Sequence, residues 1–148
     1  MPAETVTHAN PGDLFVHRNI ANLCHPADDN TPSVFEYAVR VLKVDHVIVC
    51  GHYGCGGVRA SLLPLSNELP HVNQRIAPLC ALGEWYRVEL DSFGELDART
   101  NRLAELNVLE QVRLLRQTPI VRDREAPPLV HGSIFGLHDG LSKVLASG

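Results

Sequence analysis

Asp45-His46-Val47-Ile48-Val49-Cys50-Gly51-His52-Tyr53-Gly54-Cys55-Gly56-Gly57 decides how the rest of the chain is read. The stretch to Cys50 is an apolar run of strand length, and the glycines that follow break it sharply. Apolar side chains on both faces of such a run predict a parallel strand in a sheet covered by helices on each side. A helix is expected to begin near Val58. Within the turn, His52 and Cys55 stand three positions apart, so an imidazole and a soft thiolate can aim at one metal ion. Zinc suits that pair, since it takes nitrogen at about 2.0 Å and sulfur at about 2.3 Å. Gly54, Gly56 and Gly57 allow a tight turn and close approach to a small ligand. The helix after them would point backbone N–H groups at an anion. Ligands in open α/β sheets bind beyond the carboxyl ends of strands, which is where this turn lies. Spacing alone leaves a second reading open: a small buried cysteine and a hydrogen-bonded histidine in a glycine turn. Cys50 reads as packing at the strand's end, and Cys24 and Cys80 as isolated thiols.

Working outward, Asp13 to Ile20 follows the Pro11-Gly12 turn signal and predicts a short buried strand. Thr31-Pro32 predicts a helix start, with Val34, Tyr37, Ala38, Val41 and Leu42 on its apolar face. Further helices are expected over about 72–88, with Val72, Ile76 and Leu79 in phase, and about 97–117, with Leu103, Leu106, Leu109 and Val112 in phase. Leu129 to Phe135 reads as another strand, and Asp139-Gly140 as a hairpin turn into Leu141 to Leu145. Together these predict one α/β domain over residues 1–148, with a mostly parallel sheet flanked by helices.

Composition excludes several classes. The chain has 148 residues, 45% of them hydrophobic, which is enough for a single core. Its net charge of −4 gives no basic footprint for nucleic acid. No apolar run approaches the roughly 20 residues of a membrane span. The start shows no secretory pattern, so a cytoplasmic or organellar-matrix location is expected, with reduced thiols.

Several blocks in order then carry a resemblance. Gly12 to Asn22, Ser33 to Val39, Leu42 to Val44, Val47 to Gly57, Val130 to Gly132 and Asp139-Gly140 together resemble the β-class carbonic anhydrases. The resemblance implies an α/β sheet assembled as a homodimer or larger homo-oligomer, zinc as cofactor, and reversible hydration of CO2 to bicarbonate. It assigns His52 and Cys55 as two zinc ligands. It places Phe15, Ile20 and Tyr37 along the substrate pocket, and Gly56 and Gly57 as backbone donors to bicarbonate. Without it, Phe15, Ile20 and Tyr37 read as core packing. The family's other zinc cysteine and its Asp-Arg dyad belong to a Cys-x-Asp-x-Arg run that is expected upstream of Met1, together with the first strand and the N-terminal helices. No catalytic residue is therefore assigned within the chain. Two rival readings follow: a non-catalytic remnant that acts as an oligomerisation or binding partner, and the same scaffold acting on a related linear molecule such as CS2.

The remaining polar residues take plainer readings. His8, His25, His46 and His71 read as surface or loop histidines, and His17 as hydrogen-bonded within its strand. His131 and His138 fall in the last strand region. Asp97, Arg99, Arg102 and Glu105 read as a solvated helix face.

Overall fold

The structure, a computed structural model, describes residues 2–24 and 28–148; His25 lies outside the described residues. In chain order the elements are α1 (Ala3–Thr7), a 3-10 turn (Ile20–Asn22), α2 (Asn30–Arg40), β1 (His46–His52), α3 (Gly56–Ser61), α4 (Pro70–Trp85), α5 (Arg87–Asp91), α6 (Leu96–Gln117), α7 (Pro119–Arg122), β2 (Leu129–Phe135) and β3 (Ser142–Ala146). β1 and β2 run parallel, with Val49 opposite Gly132 and His52 opposite Phe135. β3 returns antiparallel beside β2, giving the order β1-β2-β3. The turn read at Asp139-Gly140 makes that return: Gly140 takes a φ of 72°, and the Gly136 N–H bonds the Leu141 carbonyl at 2.8 Å.

α6 organises the core because its apolar positions recur at helical spacing and two of its valines, Val108 and Val112, meet the sheet where the sheet has no side chain. Leu103, Leu106, Val108, Val112 and Leu115 are buried. A β-carbon on Gly51 would come within 2.7 Å of one Val108 methyl, and one on Gly132 within 2.9 Å of the other. Leu103 and Leu106 pack with Val58, Ile76, Leu79 and Leu90, so α3, α4 and α5 share one cluster. Val108, Val112 and Leu115 pack with Phe35, Val39, Val49, Val121 and Val130, so α2, α7 and both parallel strands share the other. Each fully buried aliphatic side chain contributes about 1.5–3 kcal/mol relative to exposure. Leu109, expected in phase, is 37% exposed, because the helix turns Val108 and Val112 toward the sheet instead.

Five sequence expectations need correction. The segment from Asp13 to Ile20 is not a strand: it has no ladder partner among the described residues, and it runs irregularly into the 3-10 turn with Phe15 and Val16 exposed. Side chains hold it in place of a ladder. Asn19 Oδ1 accepts the Leu23 N–H at 2.8 Å, and His17 Nε2 lies 3.1 Å from Thr31 Oγ1. On α2 Ala38 is buried as expected, but together with Phe35 and Val39; Tyr37, and Val41 and Leu42 just past the helix end, are exposed, because Phe35 and Val39 meet the core cluster. The sheet is covered on one face. Alternation turns Val47, Val49 and Gly51 toward α6, and it leaves Ile48 58% exposed on the other face. Cys50 shares that open face and is exposed, so it does not pack. Finally, the helix expected over 72–88 is two: α4 ends at Trp85, and α5 begins at Arg87.

α2 starts one residue before Thr31, and Asp28 supplies the acceptors there. Asp28 Oδ1 accepts the Asn30 N–H at 3.1 Å, and Oδ2 accepts the Thr31 hydroxyl at 3.0 Å. Arg75 of α4 reaches the same carboxylate at 2.6 Å and the Leu23 carbonyl at 2.9 Å, tying the 3-10 turn region to α2. The Arg75 guanidinium, aided by the Thr31 hydroxyl, holds the Asp28 carboxyl down at about 2.

Candidate metal-binding loop

β1 delivers His52 at its carboxyl end, and the chain turns through Tyr53 and Gly54 to Cys55 before α3 begins. Gly54 has a φ of 66°, a left-handed conformation that glycine takes without a steric cost. His52 Nδ1 lies 2.9 Å from the Tyr53 carbonyl. A carbonyl only accepts, so Nδ1 carries a proton and donates to it, and in the neutral ring that tautomer leaves the lone pair on Nε2. Cys55 is buried beside that turn, 7% exposed, and its carbonyl accepts the Arg59 N–H of α3 at 2.9 Å.

The donor chemistry fits zinc as far as it goes. A neutral imidazole nitrogen and a thiol from one turn are both zinc donors. Among the described residues no group of three or more His, Cys, Asp or Glu side chains is placed to hold a metal.

The expected pocket residues fall into two contacts. Ile20 lies on Gly57, whose missing side chain makes room for it: a β-carbon there would meet the Ile20 Cγ2 at 2.9 Å. Phe15 lies beside Tyr37 of α2, with ring centroids 5.9 Å apart and planes inclined by 38°. All three apolar side chains are about half exposed, so they are not core, the role their composition alone would suggest. Gly56 is open, with nothing within 4 Å of where a β-carbon would stand. A hollow of about 330 Å³ also borders the loop, on its α6 side; it is lined by Gly54, Arg59, Asp97, Thr100 and Asn101 and by none of the five.

α6 supplies what the sequence reading missed. The Gly54 N–H bonds Asn101 Oδ1 at 2.9 Å, and the Tyr53 hydroxyl donates to Glu105 Oε1 at 2.7 Å. Glu105 also accepts from Arg102 at 2.8 Å and from Lys143 of β3 at 3.0 Å. Its side chain is only 13% exposed, so the solvated helix face read for Asp97, Arg99, Arg102 and Glu105 does not hold at this position. Burial pushes the Glu105 carboxyl up, but the donors from Tyr53, Arg102 and Lys143 outweigh it and hold the group below the usual carboxylate range. The same hydrogen bond to Glu105, with burial, pushes the Tyr53 hydroxyl up to about 12. No sequence signal marks this pairing, since Tyr53 and Glu105 are 52 residues apart.

A sequence model described as carbonic anhydrase matches residues 1–142. A carbonic anhydrase of Emericella nidulans is 41% identical over 98% of this chain and 64% of its own length. One from Candida albicans is 37% identical over 74% of this chain and 39% of its own. This chain therefore spans less than two thirds of those two relatives. Among solved structures, a tetrameric β-carbonic anhydrase of Sordaria macrospora superposes with a TM-score of 0.93 at 36% identity, covering 99% of this chain and 76% of that one. The β-carbonic anhydrase of Coccomyxa, in complex with acetazolamide, does so at 0.90 and 32% identity, covering 98% of this chain and 66% of that one.

Proposed function

This chain belongs to the β-carbonic anhydrase family, and from that membership we propose that it serves the reversible hydration of CO2 to bicarbonate, with His52 and Cys55 holding part of a zinc site. The observation that carries the reading is the state of His52: its Nδ1–H is committed to the Tyr53 carbonyl, which frees Nε2 as a donor three residues from a buried thiol. When bound, zinc supplies the Lewis acidity that activates water near neutral pH.

The chain's own residues do the rest. The Tyr53 carbonyl fixes the imidazole plane, and the buried Cys55 presents a soft donor at the foot of α3. Ile20 over Gly57, and Phe15 with Tyr37, offer apolar surface that sheds water and suits a small nonpolar substrate. Gly56 and Gly57 offer backbone N–H groups to bicarbonate. Catalytic zinc takes three protein ligands and this reading assigns two, His52 and Cys55, so the reaction is proposed for the whole protein.

Association with a second copy belongs to the same proposal. It is supported by the exposed apolar side chains Phe15, Val16, Tyr37, Val41 and Leu42. Among the described residues no helix is long and apolar enough to cross a membrane, and four free thiols fit the cytoplasmic or matrix location expected from the sequence.

The test is zinc stoichiometry together with CO2 hydration by stopped flow, on the whole protein and on its His52→Ala variant. About one zinc per chain, lost in the variant along with hydration, supports the proposal. The incomplete donor set favours one rival, a non-catalytic partner of a longer relative. Absence of zinc, together with co-assembly with such a relative, would establish that rival instead.

A further inference from the structure

Taking the zinc reading above as its basis, we infer that Glu105 and Asn101 of α6 are positioning residues for the His52–Cys55 loop, acting through Tyr53 and Gly54. Tyr53 is held at three atoms. Its N–H bonds the Phe135 carbonyl at 3.0 Å, its own carbonyl accepts from His52 Nδ1 at 2.9 Å, and its hydroxyl donates to Glu105 at 2.7 Å. The imidazole plane is thus set by a carbonyl whose residue is fixed at its backbone and at its side-chain tip. One residue further on, Asn101 holds the Gly54 N–H at 2.9 Å. Asn101 and Glu105 stand one helical turn apart, so a single face of α6 grips two successive loop residues.

Glu105 is a firm anchor because it is itself restrained. Arg102 Nη1 donates to its Oε2 at 2.8 Å, and Lys143 Nζ to its Oε1 at 3.0 Å. Arg102 in turn reaches Glu89 of α5 at 2.6 Å. On the same helix the Asp97 side chain is 81% exposed against 13% for Glu105, which separates an ordinary surface acid from one that is built in.

The physical gain is preorganisation. A loop with a left-handed glycine between its two donors would otherwise sample many conformations, and every one of them would have to be given up on metal capture. Hydrogen-bond partners of metal-binding histidines are worth about 10–100-fold in affinity. Here the partner is a backbone carbonyl, which no side-chain substitution removes. The side chains that hold that carbonyl are where sequence can act on the metal.

Cobalt(II) titration of the chain, followed by thiolate-to-cobalt absorption, is the probe. We expect Tyr53→Phe and Glu105→Leu each to weaken cobalt binding by about 10-fold. The double variant should be no weaker than either single one, because both remove the same bond. Glu105→Gln keeps an acceptor for the Tyr53 hydroxyl and should recover most of the affinity, while Asn101→Ala adds a separate loss. Unchanged affinity in the Tyr53→Phe and Glu105→Leu variants, or strictly additive losses in the double one, would overturn the inference. If the wild-type chain takes no cobalt, its two donors do not hold a metal by themselves, and the nitrogen-15 shifts of His52 decide the anchor alone. Loss of the Nδ1–H tautomer in Tyr53→Phe upholds it, and retention of that tautomer refutes it.

Discussion

Val108 of α6 lies against Gly51 of β1 so closely that a β-carbon on the glycine would stand 2.7 Å from its Cγ2. The other methyl of Val108 is committed to Gly132, so the β-branched side chain has no rotation that relieves the clash. Gly51→Ala is therefore expected to cost about 1–3 kcal/mol by overpacking, read as a lower urea midpoint. Since Gly51 immediately precedes His52, the same variant should also weaken cobalt binding. A midpoint equal to wild type would show that α6 gives way freely.

Asp28 sets an acid limit on the 3-10 turn region. Its carboxyl is lowered from 3.8 to about 2 in the folded chain, chiefly by Arg75. A depressed carboxylate stabilises the fold above its ordinary value, and the contribution is lost as pH falls from 3.8 toward 2. Stability measured by urea should decline across that window in the wild type and decline less steeply in Asp28→Asn. Parallel pH profiles for the two proteins would contradict this account.

Asn107 is fully buried, and its amide donates to the Ala21 carbonyl at 2.8 Å while its oxygen accepts from Gln111 at 3.0 Å. Ala21 and Asn22 have φ values of 60° and 46°, a left-handed pair without glycine that persists only where its surroundings enforce it. Asn107→Ala strands two buried groups and should cost about 1–3 kcal/mol. Amide exchange should quicken first over residues 20–24, because Ile20 then loses its seat on Gly57. Uniform exchange across the whole domain would argue against this local role.

Val41, the residue that caps α2 at its carboxyl end, is 58% exposed, and Tyr37 one turn earlier is 49% exposed. Val41→Asp is expected to lower the sedimentation-derived mass toward that of a single chain and to leave the melting temperature of that single chain unchanged. Self-association at wild-type strength would remove this face from the proposed contact.

What could be read in advance follows from what is local. β2 matched its expected limits, and α6 began within a residue of them, because period and turn chemistry act over a few residues. Asp13 to Ile20 misled because strand-like composition says nothing of whether a neighbouring strand is present. The α2 face was misjudged in part, because beside Ala38 the residues Val34, Tyr37 and Val41 make as good a stripe as Phe35 and Val39, and only the position of α6 chooses between them. That His52 ends a strand and Cys55 stands just before a helix was legible from the apolar run and the glycines after it. Asn101 and Glu105 were not, since they meet the loop from 47 and 52 residues away. Nor was the pair His46 and His131, whose ring nitrogens lie 3.0 Å apart across β1 and β2.

The parallel pairing of β1 with β2 carries a kinetic consequence. β2 and β3 are joined by a short turn, whereas His46 finds Leu129 only after a loop of about 80 residues has closed. Long-range pairings of that kind form slowly, so the hairpin is expected to be an early folding unit and β1 a late arrival. The turn bearing His52 and Cys55 hangs from the tardier strand, and metal given to a refolding chain should be captured only in its slowest phase.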